Sequence, residues 1–225
     1  MKDQKSAITQ DIERFKEMAK SKGKNKNEKK PQVIVVGRSN VGKSTLVRLI
    51  TKKNVRVGKK PGVTLKINKY DMGNYILVDL PGFGFMTGLD EKVQDKIKDE
   101  IIRYIEDNKK YIASSIILID AKAFPEIVNR WDKRDEIPID IEMFDFLNEL
   151  ELNPIIVINK MDKIKKNNWD AHLDKIVEIF GYPAPWRQWL DMIVVGVLKE
   201  GIGLKEVLNK INKNVNAYNS KNKKL

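Results

Sequence analysis

Residues 33–44 read Val-Ile-Val-Val-Gly-Arg-Ser-Asn-Val-Gly-Lys-Ser. The first four form a continuous, mainly β-branched apolar run, the pattern of a strand buried on both faces. Gly37 to Ser44 then fits G-x-x-x-x-G-K-[S/T], and Lys43 to Ile50 carries a helical pattern. A strand, a glycine-containing loop and a helix in that order make a phosphate cradle. The glycines let the backbone wrap closely, and amides of the loop and of the helix N-terminus face an anion. In such a loop Lys43 reaches the β- and γ-phosphates of a nucleotide and Ser44 ligates Mg²⁺. The predicted nucleotide contacts are Gly37, Arg38, Ser39, Asn40, Val41, Gly42, Lys43, Ser44 and Thr45.

Further along the chain, strand and helix patterns alternate. Leu65–Tyr70 and Tyr75–Val78, joined by a turn at Gly73-Asn74, read as a hairpin. Ile116–Ile119, Ile155–Ile158 and Ile193–Val195 read as further strands. Helical patterns cover 90–110, 140–150, 169–180 and Leu204–Val215. This predicts an α/β fold: a mainly parallel sheet with one antiparallel edge strand and helices on both faces. Pro125–Pro138, which holds Trp131 among charges, reads as a surface insertion before the helix at 140. Residues 53–64, with Gly58, Pro61 and Gly62, read as a mobile loop.

Two more motifs stand at strand ends. Asp79-Leu80-Pro81-Gly82 supplies a carboxylate able to hold the shell of a Mg²⁺ ion and an amide, that of Gly82, able to sense a γ-phosphate. Asn159-Lys160-Met161-Asp162 supplies a carboxylate that accepts from N1 and N2 of guanine, a donor pair adenine lacks. There Lys160 lays its stem along the base and Asn159 braces the phosphate loop. Open α/β sheets bind ligands outside the carboxyl ends of their strands, so the three motifs can converge on one guanine nucleotide.

Composition narrows the class. The 225 residues suit one domain, 41% are hydrophobic, and the absence of cysteine excludes disulfides, thiolate metal sites and a thiol nucleophile. No apolar run reaches the length of a membrane span, and the polar N-terminus has no signal-peptide core, so a cytoplasmic protein without stable membrane association is expected. The net charge of +12 sits mostly at the two ends: residues 1–30 hold ten Lys/Arg against five Asp/Glu, and residues 199–225 hold seven against two. Basic ends of this kind attract polyphosphates, RNA among them, and otherwise serve as solvated tails. Asp3–Lys20 has the spacing of a short amphipathic helix and Ser21–Lys30 the composition of a linker. The chain therefore divides into a basic extension (1–30), a central domain (31–215) and a basic tail (216–225). His172, the only histidine, is expected at the surface. Trp186 and Trp189 are expected to pack against the closing helix, and Trp169 to cap or pack a helix.

Taken together, Gly-Arg-Ser-Asn-Val-Gly-Lys-Ser-Thr-Leu at 37–46, Lys-Pro-Gly-Val-Thr at 60–64, Asp-Leu-Pro-Gly-Phe-Gly-Phe at 79–85 and Asn-Lys-Met-Asp at 159–162 resemble the EngB GTPases. These belong to the TrmE–Era–EngA–EngB–septin group of P-loop GTPases. The resemblance covers about residues 31–210, and Ile139–Leu150 resembles the helix before the family's base-recognition strand. It implies a Ras-like fold with a six-stranded mixed sheet. It also implies Thr64 as the switch I threonine on Mg²⁺, Gly62 as its neighbour at the nucleotide, and residues 79–90 as switch II, with Asp79 reaching the metal through water. The family's last motif aligns with Gly196-Val197-Leu198-Lys199, where Gly-Val replaces Ser-Ala; a backbone amide there meets guanine O6.

Lys43, Thr64, Gly82 and Asn40 are the residues the resemblance places in hydrolysis of GTP. Asn40 occupies the position with which relatives in this group hold an activating K⁺. Phe83 follows Gly82 where Ras-type proteins carry a water-orienting glutamine, so slow intrinsic turnover is expected. The implied role is a nucleotide-dependent switch in assembly of the large ribosomal subunit, with a link to cell division and septation, acting as a monomer on ribosomal RNA. The alternative is a GTP-dependent module that recruits a protein without RNA.

Overall fold

The computed structural model describes residues 30–52, 66–84 and 90–222. The expected N-terminal helix and linker and the loop at 53–64, with Gly62 and Thr64, lie outside the described residues, as does most of the segment after Gly84. In chain order come β1 (Gln32–Gly37), α1 (Lys43–Thr51), β2 (Asn68–Asp71), β3 (Ile76–Asp79), α2 (Glu91–Asn108), β4 (Ile112–Asp120), α3 (Ala123–Asp132), α4 (Ile139–Glu149), β5 (Pro154–Asn159), α5 (Trp169–Ile179), β6 (Ile193–Val195) and α6 (Leu204–Asn222).

Six strands form one sheet in the order β2-β3-β1-β4-β5-β6. Only β2–β3 is antiparallel; the other four pairings are parallel. β1, β3, β4 and β5 are buried along their whole length, because helices cover both faces of the sheet. Alternate strand residues feed two cores. Ile34, Val36, Val78, Ile117, Ile119, Ile156 and Ile158 point to one face and meet Ile101 and Ile105 of α2, Phe124 of α3, Phe144 and Leu147 of α4, and Leu173 and Ile176 of α5. Val33, Val35, Leu77, Ile116, Leu118 and Val157 point to the other and meet Leu46, Val47 and Ile50 of α1 and Val207, Ile211 and Val215 of α6. α1 and α6 thus share one face, and α2 to α5 share the other.

Three elements depart from expectation. Residues 123–132 are helix α3, so the expected insertion at 125–138 reduces to the short link 133–138. Phe124, Val128 and Trp131 stand at helical spacing, with Phe124 fully buried, and Pro125 sits in the first turn, where its missing N–H costs nothing. The charges around Trp131 hid that pattern. α6 runs to Asn222, seven residues past the expected end at Val215, so residues 216–222 of the expected tail are helical. Tyr218 extends the packed face by one turn: it lies against the core, and its hydroxyl donates to the Lys110 carbonyl (2.6 Å). Trp186 and Trp189 pack on the α2–α5 side and not against the closing helix. Trp189 meets the Tyr182 ring at 4.6 Å, and the Trp186 indole donates to Asp170 at 2.9 Å. Trp169 opens α5 with its indole donating to the Ile164 carbonyl (3.0 Å), and partly buried His172 touches the Ala121 carbonyl through Nε2 (2.7 Å).

Among the described residues no helix is long and apolar enough to cross a membrane.

Candidate functional site

β1 ends at Gly37, and α1 begins six residues later. Gly42 caps α1 at φ +114°, and a Cβ there would stand 2.3 Å from the Asn159 side-chain nitrogen, so both the turn and the close approach need glycine. The loop is held from two sides. On one, Ser39 N–H donates to the Phe83 carbonyl (3.3 Å) and Phe83 N–H to the Gly37 carbonyl (3.4 Å), laying residues 82–84 against residues 37–39. A Cβ on Gly82 would lie 3.0 Å from Lys43 Nζ and 3.1 Å from the Ser39 backbone. On the other side, Asn159 at the end of β5 donates from Nδ2 to the Val41 carbonyl (2.8 Å) and accepts at Oδ1 from Leu198 N–H (3.0 Å). One side chain therefore ties the phosphate loop, the Asn159–Asp162 turn and the Gly196–Lys199 loop together.

Lys43 lies folded inside the loop, with Nζ donating to the carbonyls of Gly37 (2.8 Å) and Arg38 (2.7 Å). Burial lowers its pKa to about 8, against the opposing charges of Asp79 and Asp140. Bound directly to carbonyls, with Asp79 and Asp140 nearby, the ammonium is positioned to meet an incoming phosphate. Asp79, at the end of β3, is 1% exposed, and neither carboxylate oxygen has a hydrogen-bond partner. Burial raises its pKa to about 6, with Lys43 pulling the other way. A buried carboxylate with both oxygens unmet is costly on its own, and its chemistry fits a hydrated divalent cation. Ser44, the other metal-ligating oxygen expected from the sequence, is partly buried in the first turn of α1.

Asn40 stands exposed at φ +66°, and its carbonyl accepts from Lys160 Nζ (2.5 Å). Lys160 is fixed again by Asp120 at the end of β4 (2.9 Å), which also receives Lys163 (2.8 Å). Burial pushes the Asp120 pKa up, but the hydrogen bonds from Lys163 and Lys160 outweigh it and hold the carboxyl below its usual range. Asp162 is paired with Lys199 (2.6 Å), so its carboxylate has a neighbouring counter-charge. Gly196, Val197 and Leu198 are buried beside Asn159.

Asp120 and Lys199 were not singled out in the sequence as side chains of the site. Asp120 carried a signal: like Asp79 and Asn159, it is a polar residue closing a buried apolar run. Phe83, for its part, is a core residue, 2% exposed, and does not project towards the loop's anion site.

Arg38 turns away from the anion side. Its Nε donates to Asp140, which opens α4 and is 1% exposed, and its guanidinium carbon lies 5.9 Å from the Trp131 ring centroid. Burial raises the Asp140 pKa, and Arg38 opposes it. Replacing Asp140 by alanine would leave a mostly buried guanidinium without its counter-ion. The expected loss is about 3–5 kcal/mol of stability, read by urea unfolding of the nucleotide-free protein. A loss comparable with that of an exposed pair would contradict this account.

Comparison with known proteins places this arrangement. Residues 32–160 match the family model described as 50S ribosome-binding GTPase. A probable GTP-binding protein EngB of Methanococcus aeolicus is 77% identical over 215 residues, 95% of each chain. A protein of the same description from Methanococcus maripaludis is 59% identical, over 95% of this chain and 92% of its own. A crystal structure of a probable GTP-binding protein engB is 43% identical, with a TM-score of 0.74 over 83% of this chain and 99% of that one. With a matching model across more than half its length and such relatives along nearly all of it, the chain belongs to the EngB family of GTP-binding proteins, within the ribosome-binding GTPases.

Proposed function

We propose that this protein binds Mg²⁺–GTP across the carboxyl ends of β1, β3 and β5, hydrolyses it slowly, and uses the nucleotide state to govern its association with the large ribosomal subunit. The observation that carries this reading is the pair of hydrogen bonds made by Asn159, which sets the phosphate loop and the base loops in one frame. In it, Lys43 leaves its two carbonyls for the β- and γ-phosphates and backbone amides of 39–45 face the same anion. Gly82 N–H reads the γ-phosphate, Asp162 takes guanine N1 and N2, Lys160 lies along the base, and an amide in Gly196–Leu198 meets O6. Ser44 and Thr64, with Asp79 through water, would hold the metal, which would supply positive charge against the nucleotide's phosphates. Asn40, at the position with which related GTPases hold K⁺, would help hold a K⁺ between the phosphates. Faster hydrolysis is then expected in K⁺ than in Na⁺, and equal rates, or stimulation that survives Asn40→Ala, would remove that role. Phe83, locked in the core, orients no water, which fits slow turnover.

Asp79→Asn separates structure from function at this site. It removes a buried charge whose oxygens have no hydrogen-bond partner and which Lys43 offsets only in part, so the nucleotide-free protein should hold or slightly gain stability. Mg²⁺ should at the same time lose most of its effect on GTP affinity. Lower nucleotide-free stability in the variant would mean that Asp79 has a partner in solution.

For the ribosomal role, the support is membership of a family described as 50S ribosome-binding GTPases, together with the basic ends of the chain. A cytoplasmic, monomeric assembly factor with a link to cell division accords with both. The test is co-sedimentation of the purified protein with ribosomal subunits of its own source, with a non-hydrolysable GTP analogue, GDP or no nucleotide. Binding to the large subunit only with the analogue supports the proposal. Binding in every state would remove the switch. No binding in any state would overturn the ribosomal role and leave a GTP-dependent protein recruiter.

A further inference from the structure

The two helical layers are oppositely charged. α2, α3, α4 and α5 together hold six Lys/Arg against fifteen Asp/Glu. Leaving aside Lys43, which is buried in the site, α1 and α6 hold Arg48, Lys205, Lys210, Lys213 and Lys221 against Glu206 alone. Lys52, exposed at the end of α1, adds to the same sign. Lys210 donates to the Leu190 carbonyl, and Lys213 lies 3.7 Å from Asp191 in a pair whose side chains are 71% and 97% exposed. An exposed pair of that kind neutralises little.

The ridge of α6 opposite its buried stripe reads Lys205, Asn209, Asn212, Lys213, Asn216 and Ser220, all exposed. Their spacing keeps them on one side of the helix, away from Val207, Ile211 and Val215. Lysines and neutral donors dominate this side, where exposed Glu206 in the first turn is the one carboxylate of α6. Charged helices that merely face water tend to mix signs, as α2 does with four basic and six acidic residues. A side with net positive charge interleaved with asparagine and serine has the composition that hydrogen-bonds phosphate and sugar oxygens. Four of the seven basic residues in 199–225 therefore lie on this ordered helix. That surface is continuous with α1, which begins in the phosphate loop, and α6 follows the loop that meets the base.

We infer that the α1–α6 face is an RNA-docking surface that grips the phosphate backbone through the outer ridge of α6, while the α2–α5 face is turned away from it. The inference rests on the ribosomal reading for the identity of the RNA, but not for the existence of the surface. The surface supplies a salt-dependent grip on the RNA backbone that is too weak by itself to hold the large subunit, so binding to the subunit still follows the nucleotide state.

The test uses the full-length protein, a short RNA duplex of unrelated sequence and, separately, large ribosomal subunits. Lys205→Glu/Lys213→Glu/Lys221→Glu is compared with a control of equal charge change on α2, Lys92→Glu/Lys96→Glu/Arg103→Glu, and with the milder Lys205→Gln/Lys213→Gln/Lys221→Gln. GTP affinity and thermal unfolding verify that each variant is folded. Expected are at least about tenfold weaker duplex binding for the α6 reversal and a salt dependence shallower by about two to three phosphate contacts. The glutamine variant should show a smaller loss of the same kind, and the α2 reversal a small effect. Duplex binding unchanged in both α6 variants, equal losses on the two faces, or no duplex binding by the wild-type protein would overturn the inference. Duplex binding that depends on α6 alongside an absence of large-subunit binding would instead keep the surface and overturn the ribosomal role.

Discussion

Replacing Asp162 by alanine is expected to weaken GTP binding by about a hundredfold to ten-thousandfold and to erase the preference for GTP over ATP. Two donors of guanine, N1–H and the N2 amine, meet one carboxylate. Each charge-assisted bond contributes roughly 1.5–3 kcal/mol, and an unmatched donor in a closed site costs a similar amount. Asp162 is held on a short 3₁₀ turn whose geometry starts at Lys160, with φ +67°, and it is paired with exposed Lys199. Losing an exposed ion pair costs the fold little, so the effect should fall on binding and not on stability. Titration of GTP, GDP and ATP into wild type and variant, with unfolding curves for both, would read it. An unchanged GTP-to-ATP ratio would mean that the base is recognised elsewhere.

The second large effect is expected at Lys43. Lys43→Met removes the one ammonium inside the phosphate loop, and single-turnover GTP hydrolysis should fall by about a hundredfold to a thousandfold. The nucleotide-free protein should lose some stability, because the buried Asp79 carboxylate loses the charge that offsets it and the Arg38 carbonyl loses its donor, while the Gly37 carbonyl remains bound to Phe83 N–H. GDP affinity should suffer less than GTP affinity, since GDP lacks the phosphate nearest to where charge develops. Equal losses for the two nucleotides would place Lys43 on the β-phosphate alone.

Much of this site was legible in the sequence because its motifs are local. A glycine loop between a buried strand and a helix, and polar residues closing apolar runs at Asp79 and Asn159, are defined within a few positions. The hairpin was readable for the same reason: alternation and Gly73-Asn74 lie side by side. What escaped depends on contacts far apart in the chain. Asp120 reaches Lys160 across 40 positions and Arg38 reaches Asp140 across 102, and nothing local marks either pair. α3 was masked by charges that all fall on its exposed side, while its buried stripe consists of only a few apolar residues. The end of α6 was missed because residues 216–222 hold no aliphatic residue larger than alanine to mark it; Tyr218 alone carries the packing there. The opposed charge of the two layers could not be seen along the chain at all, since it requires knowing which helices share a face.

The account is tested most directly by a crystal structure of the protein with Mg²⁺ and a non-hydrolysable GTP analogue. It predicts that Lys43 Nζ has left the Gly37 and Arg38 carbonyls for the β- and γ-phosphates. Asp79 should lie in the water shell of a metal bound by Ser44 and Thr64, and Asp162 should have exchanged Lys199 for guanine N1 and N2. A nucleotide bound with Lys43 still on those carbonyls, or with Asp162 still paired to Lys199 and the base elsewhere, would contradict it.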